Sequence, residues 1–132
     1  MATKLTPQRY DAQAWALIAR FYQGAPWLAG VRIVLDHRLW PPTGNMAMTW
    51  GTTIYIARYL AEPPYTTFDR ALNLAHELAH VEQYRRWGKL GFGLRWLWQV
   101  ASRVSVRAIP IEAEARKQAK RFELWAREQG SA

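Results

Sequence analysis

Between Pro64 and Gly88 the chain runs without a proline or a glycine. Such a stretch favours one long helix. Thr66 or Thr67 can cap it, Asp69 sits near its positive end, and Gly88 follows it. The expected helix, Thr67 to Trp87, fixes where its polar side chains point. His76 and His80 lie four residues apart. On a helix that is about 40° of net rotation and about 6 Å of rise, so both imidazoles leave one face and can meet one ion. Glu77 stands next to the first histidine, and Ala75, Leu78 and Ala79 surround the group with apolar side chains.

The remaining elements follow from caps and periodicity. Thr6, Pro7 and Gly24 bracket an N-terminal helix whose apolar stripe is Tyr10, Ala14, Leu17, Ile18 and Phe21. Val31 to Leu35 reads as a strand, Pro41 to Asn45 as a turn cluster, and Met46 to Trp50 and Thr52 to Ala57 as two strands around Gly51. A third helix is expected over Phe92 to Arg107 and a fourth from Ile111 to about Glu128, opened by Pro110. This order predicts an α+β fold in a single domain over residues 1–132. Its parts are an N-terminal helix, a small sheet, a metal-binding helix and two further helices.

Composition bounds what such a domain can do. The chain has 132 residues, half of them hydrophobic and eight of them Trp, and no cysteine. It is too apolar for disorder, and thiolate metal sites and a cysteine nucleophile are excluded. The first twenty residues do not read as a signal peptide, because Gln8, Asp11 and Gln13 interrupt the apolar core such a segment needs. Leu90 to Ala101, the most apolar stretch, is broken by Arg95 and Gln99, so no membrane span is expected. The expected location is cytoplasmic, or outside by a non-classical export route. The net charge of +8 suits a solvated basic surface and is compatible with an acidic partner or a membrane surface. Lysines and arginines scattered over several helices, without helix-turn-helix or zinc-finger spacing, argue against nucleic acid.

Two histidines on one face, with a glutamate between them, suit a Zn²⁺ site in which the glutamate is the general base. A catalytic zinc takes three protein ligands and keeps one position open. The last helix offers Glu112 and Glu114. Glu112 shares a face with Ala115, Ala119, Phe122 and Ala126, whereas Glu114 points about 200° away with Gln118 and Arg121. A carboxylate on a buried face needs a partner, so Glu112 is the expected third ligand and Glu114 the alternative. A Glu112–Arg116 salt bridge is the plainer reading of the same residue. His37, in Asp36-His37-Arg38 after a strand, reads as a surface histidine.

The segments His76-Glu77-Leu78-Ala79-His80-Val81-Glu82-Gln83, Trp87-Gly88 and Pro110-Ile111-Glu112-Ala113-Glu114-Ala115 resemble the gluzincin-type metallopeptidases. They are closest to the extracellular contractile injection system core domain, as is Met48 to Tyr55. The resemblance covers about residues 45 to 120. It implies a zincin-like minimal domain, with His76, His80 and Glu112 as ligands of one zinc ion and Glu77 as base. Arg116 stands where such enzymes often place a supporting acid, so the surroundings of the first histidine must differ. Tyr84 is the candidate oxyanion stabiliser, with Tyr55 and Tyr59 behind it.

The expected function is therefore zinc-dependent hydrolysis of peptide bonds in a protein or peptide substrate. The alternatives are a non-catalytic zinc-stabilised interaction module and a basic nucleic-acid-binding domain. The strand Thr52 to Ala57 is a candidate for pairing with an extended substrate. The N-terminal helix, by position, is a candidate cover for the cleft. Phe92, Trp96 and Trp98, with Arg95 among them, read either as a membrane or partner patch or, more simply, as a core helix over the metal helix.

Overall fold

The computed structural model describes residues 2–36, 47–102 and 109–130. His37 and the turn cluster from Pro41 to Asn45 lie outside them. The elements in chain order are β1 (Thr3–Leu5), α1 (Pro7–Tyr10), α2 (Ala12–Phe21), a 3-10 turn (Pro26–Gly30) and β2 (Arg32–Asp36). There follow β3 (Ala47–Trp50), β4 (Thr53–Ala57), a second 3-10 turn (Arg58–Ala61), α3 (Thr67–Ala101) and α4 (Pro110–Gly130). This is the expected α+β arrangement, a small sheet with helices packed on it.

The sheet has four strands in the order β1-β2-β4-β3. Strand β1, too short to announce itself by alternation, pairs antiparallel with β2. The β2–β4 pair is parallel and the β3–β4 pair antiparallel. Strand β4 thus has partners on both sides. It has no free edge for a substrate, and the expectation for Thr52 to Ala57 is corrected; β1 and β3 are the outer strands, each with one edge unpaired among the described residues, and β3 is the one beside Glu77. The β3–β4 hairpin closes through Gly51 and Thr52, with Trp50 opposite Thr53. Gly51 takes φ +64°, the left-handed conformation that such a short turn asks of its first central residue.

Register decides which side chains meet the helices. Leu5, Ile33, Ile54 and Thr49 form one row across the sheet. Ile33 and Ile54 are fully buried against Ala14, Ile18, Leu74, Leu78 and Phe122. Thr49 therefore points to the same side as the core, under α3.

The N-terminal helix is two helices. Asp11 is extended (φ −159°), ending α1 and capping α2 by accepting the Ala14 N–H at 3.0 Å. Its other oxygen accepts from Arg70 Nε on α3 at 2.7 Å. Ala14, Trp15 and Ile18 belong to the main hydrophobic core. The N-terminal helices are a wall of that core rather than a removable cover.

Helix α3 begins with the expected Thr66 cap, reinforced by a reciprocal capping box with Asp69. At Gly88 the backbone takes φ 73° and ψ 170°, and helix resumes directly at Lys89 instead of near Phe92. The break folds the chain back. In a straight helix Tyr84 and Phe92 would lie about 12 Å apart along the axis. Here their rings stack at 3.9 Å. Phe92, Tyr84 and Ile111 form a second apolar cluster with Trp87 and Trp96 against it. The expectation of a core helix holds for Phe92 and Trp96 only: Leu90, Leu94, Leu97 and Trp98 are 76%, 59%, 63% and 74% exposed. No helix among the described residues is long and apolar enough to cross a membrane.

Candidate metal centre

His76 and His80 lie one turn apart on α3 with ring centroids 5.2 Å apart. The first turn of α4 brings Glu112 to both. Its Oε2 is 3.2 Å from His76 Nε2 and its Oε1 is 3.1 Å from His80 Nε2. One ligand atom from each of the three residues lies within 4.8 Å of the others. The two separations are hydrogen-bond distances to different oxygens of Glu112, so the carboxylate bridges the two imidazoles. His80 is buried, whereas the side chains of His76 and Glu112 are each 25% exposed. The cluster is therefore partly open to water on the His76 and Glu112 side.

The alternatives within α4 separate as helical geometry predicts. Ala115 and Phe122 are fully buried, and Glu112 on their face turns both oxygens to the histidines rather than to Arg116. Glu114 lies outside the cluster. Its Oε1 accepts from Gln83 Nε2 at 2.9 Å and is 3.5 Å from Arg86 Nη2.

Electrostatics binds the cluster into a unit. Burial disfavours charge on Glu112, but hydrogen bonds from His76 and His80 outweigh it and hold the carboxyl well below the usual carboxylate range. Burial likewise lowers His80, but its bond to Glu112 and the nearby Glu77 outweigh this and raise it. A charged Glu112 carboxylate thus faces both Nε2 atoms, and a cation held by the three residues would take the place of the His80–Glu112 proton.

Glu77 is buried, at 5% exposure. Thr49 Oγ1 donates to its Oε1 at 2.8 Å, which the sheet register makes feasible. Burial pushes the carboxyl up, opposed by the histidines and by Thr49. A carboxyl raised towards neutrality beside an open ligand cluster suits accepting and returning a proton.

Gln83 is the functional residue that sequence reasoning missed. It is fully buried. Its Oε1 accepts from His80 Nδ1 at 2.8 Å, while its Nε2 donates to Ile111 O at 3.1 Å and to Glu114. With both amide protons committed to acceptors, the oxygen must face His80. A proton therefore sits on Nδ1, while Nε2 is turned to Glu112. The available signal was its place three residues after His80, on the same helical face.

The tyrosines do not join the cluster. The Tyr84 hydroxyl donates to Thr49 O at 3.3 Å, and burial pushes it up to about 12. It braces α3 to β3 and would have to leave that carbonyl to serve an oxyanion. Tyr55 lies on the other face of the sheet, beside Lys4, Arg9 and Arg32. Tyr59 packs on Tyr65.

Residues 11–88 match the family described as the eCIS core domain. The match starts well before Asn45, where the sequence resemblance begins, and takes in α2, the strands β2 to β4, His76, Glu77 and His80. It ends at the Gly88 break, before Glu112. No curated protein and no solved structure matches the chain. The match covers more than half of the 132 residues, and the chain therefore belongs to the eCIS core domain family.

Proposed function

We propose that this protein is a zinc-dependent peptidase, with His76, His80 and Glu112 as ligands and Glu77 as general base. The observation that carries the reading is the convergence of three ligand atoms within 4.8 Å beside a buried glutamate. The donor set suits zinc, being two imidazoles and one carboxylate with one side open. A bound Zn²⁺ would supply Lewis acidity, both to acidify a water and to polarise a scissile carbonyl. Glu77, beside the cluster, would be placed to take a proton from a nucleophilic water and return it to the leaving amine. Thr49 holds the carboxylate in place by its hydroxyl. An extended peptide could lie along the edge of β3 that is unpaired among the described residues, next to Thr49 and Glu77, where Tyr84 now holds the Thr49 carbonyl.

The competing reading is a zinc staple between α3 and α4 without catalysis, and Glu77 separates the two. Zinc is to be measured by mass spectrometry on the wild type and on Glu77→Gln, with both incubated with an unstructured protein. The expected result is one zinc per chain in each and cleavage by the wild type alone. Zinc in both with cleavage by neither would favour the staple. Absence of zinc from both, after reconstitution, would reject the metal reading.

A further inference from the structure

The second part of α3, after Gly88, has an outer face that a solvated helix would not carry. Leu90, Leu94, Leu97 and Trp98 are all more than half exposed. At about 100° per residue they fall within one stripe about 100° wide. Phe92, Trp96 and Gln99 point the opposite way. Phe92 stacks on Tyr84, Trp96 packs against that cluster, and Gln99 accepts the Ile111 N–H at 2.9 Å. The helix is anchored by its inner face, so the outer stripe is held outward and is not an artefact of rotation. Lys89 and Arg95 flank it on either side. Each lies over an indole, Trp50 and Trp87, at 5.5 and 4.7 Å.

Charge identifies the occupant. From Gln83 to Ile111 the sequence holds Arg85, Arg86, Lys89, Arg95, Arg103 and Arg107 and no Asp or Glu. A leucine stripe ending in Trp, inside a run of six cations of which only Arg86 has a carboxylate partner among the described residues, has the make-up of an interfacial helix. A second copy of the chain would set this positive run against itself, which like-charge repulsion opposes.

We infer that Lys89–Ala101 docks on the surface of an anionic bilayer through Leu90, Leu94, Leu97 and Trp98. The helix lies in the interface without crossing it. The inner face of the same helix carries Phe92, whose ring is 6.1 Å from that of His80. Docking therefore sets the histidine cluster about one helix diameter from the lipid, about 10 Å.

The test is flotation of the full chain with vesicles of phosphatidylcholine alone and of phosphatidylcholine mixed with phosphatidylglycerol, at low and high salt. The wild type is expected to float with the anionic vesicles only, and to be released by salt. Leu97→Glu with Trp98→Glu should lower partitioning about tenfold or more, and Lys89→Gln or Arg95→Gln about fivefold each. All these side chains except their indole contacts face solvent, and far-UV circular dichroism checks that the variants fold. Flotation of the wild type with neither vesicle, or equally with both, would overturn the proposal. So would a wild-type dimer in sedimentation that Leu97→Glu converts to monomer, since the stripe would then be covered by a second copy.

Discussion

Gln83 shows how one buried amide can decide the state of a neighbour. It is fully buried with all of its hydrogen-bonding capacity towards His80, Ile111 and Glu114 in use. Gln83→Leu keeps about the same volume but leaves His80 Nδ1 without its acceptor and removes the bond that ties α3 to the Ile111 carbonyl. We expect zinc affinity to fall about 10–100-fold, measured by competition with a chromogenic chelator. An unchanged affinity would mean that His80 does not need this partner. His76, Glu77 and His80 are legible from sequence because their relation is intrahelical, and a helix has fixed geometry. Glu112 is legible because the alanines and Phe122 that follow it mark the buried face of α4. Gln83 is not, because its role depends on which carbonyl and carboxylate α4 presents. Neither is the way Tyr84 is engaged, because its partner is a backbone oxygen on a strand far away in sequence.

At the scale of elements, the break at Gly88 builds the back of the candidate site. Its φ of 73° with ψ of 170° is a region that is essentially glycine's alone. A Cβ placed there meets no atom within 4 Å, so the cost of Gly88→Ala is conformational and not steric. We expect a loss of about 1–3 kcal/mol in urea unfolding. We also expect a weakened Tyr84–Phe92 stack, visible in near-UV circular dichroism. A neutral result would show that the helix tolerates straightening. From sequence, Gly88 reads as a helix end, and the immediate restart at Lys89 does not follow from it. The restart is stabilised by Phe92 and Trp96 reaching a cluster made by other elements. The extended Asp11 is hidden for a similar reason. Its neighbours fit a helical stripe, and the ion pair with Arg70 that joins the Ala14 cap in favouring the kink comes from a distant helix.

For the molecule as a whole, Asp11 and Arg70 tie the N-terminal helices to α3. Arg70 also donates to Leu60 O and Tyr65 O, gathering the connection after β4 into the same knot. The side chains of Asp11 and Arg70 are only 8% and 16% exposed. Burial raises the Asp11 carboxyl, but the Ala14 N–H, Arg70 and Thr67 outweigh it and leave it below its ordinary value. A folded pKa below the unfolded one gives stability that is present above the unfolded value, about 3.9, and is lost as pH falls through the folded one. Asp11→Asn should therefore flatten the acid limb of the stability curve below about pH 4. Asp11→Ala should cost about 3 kcal/mol near neutrality, since Arg70 would keep a buried charge without its partner. Thermal unfolding across pH checks both, and parallel acid limbs in wild type and Asp11→Asn would reject the assignment.

By itself, the sequence determined what is local: the α+β order of elements, the capped helix, the two histidines on one face, and which of Glu112 and Glu114 lies on the buried face of α4. Each follows from backbone geometry and hydrophobic period within one segment. Tertiary structure alone decided the pairing order of the strands, which places Thr49 under Glu77 and closes both edges of β4. It alone decided the fold-back at Gly88, which buries Phe92 and leaves a leucine stripe facing out. These features depend on contacts between segments far apart in the chain, whose energies no single segment contains.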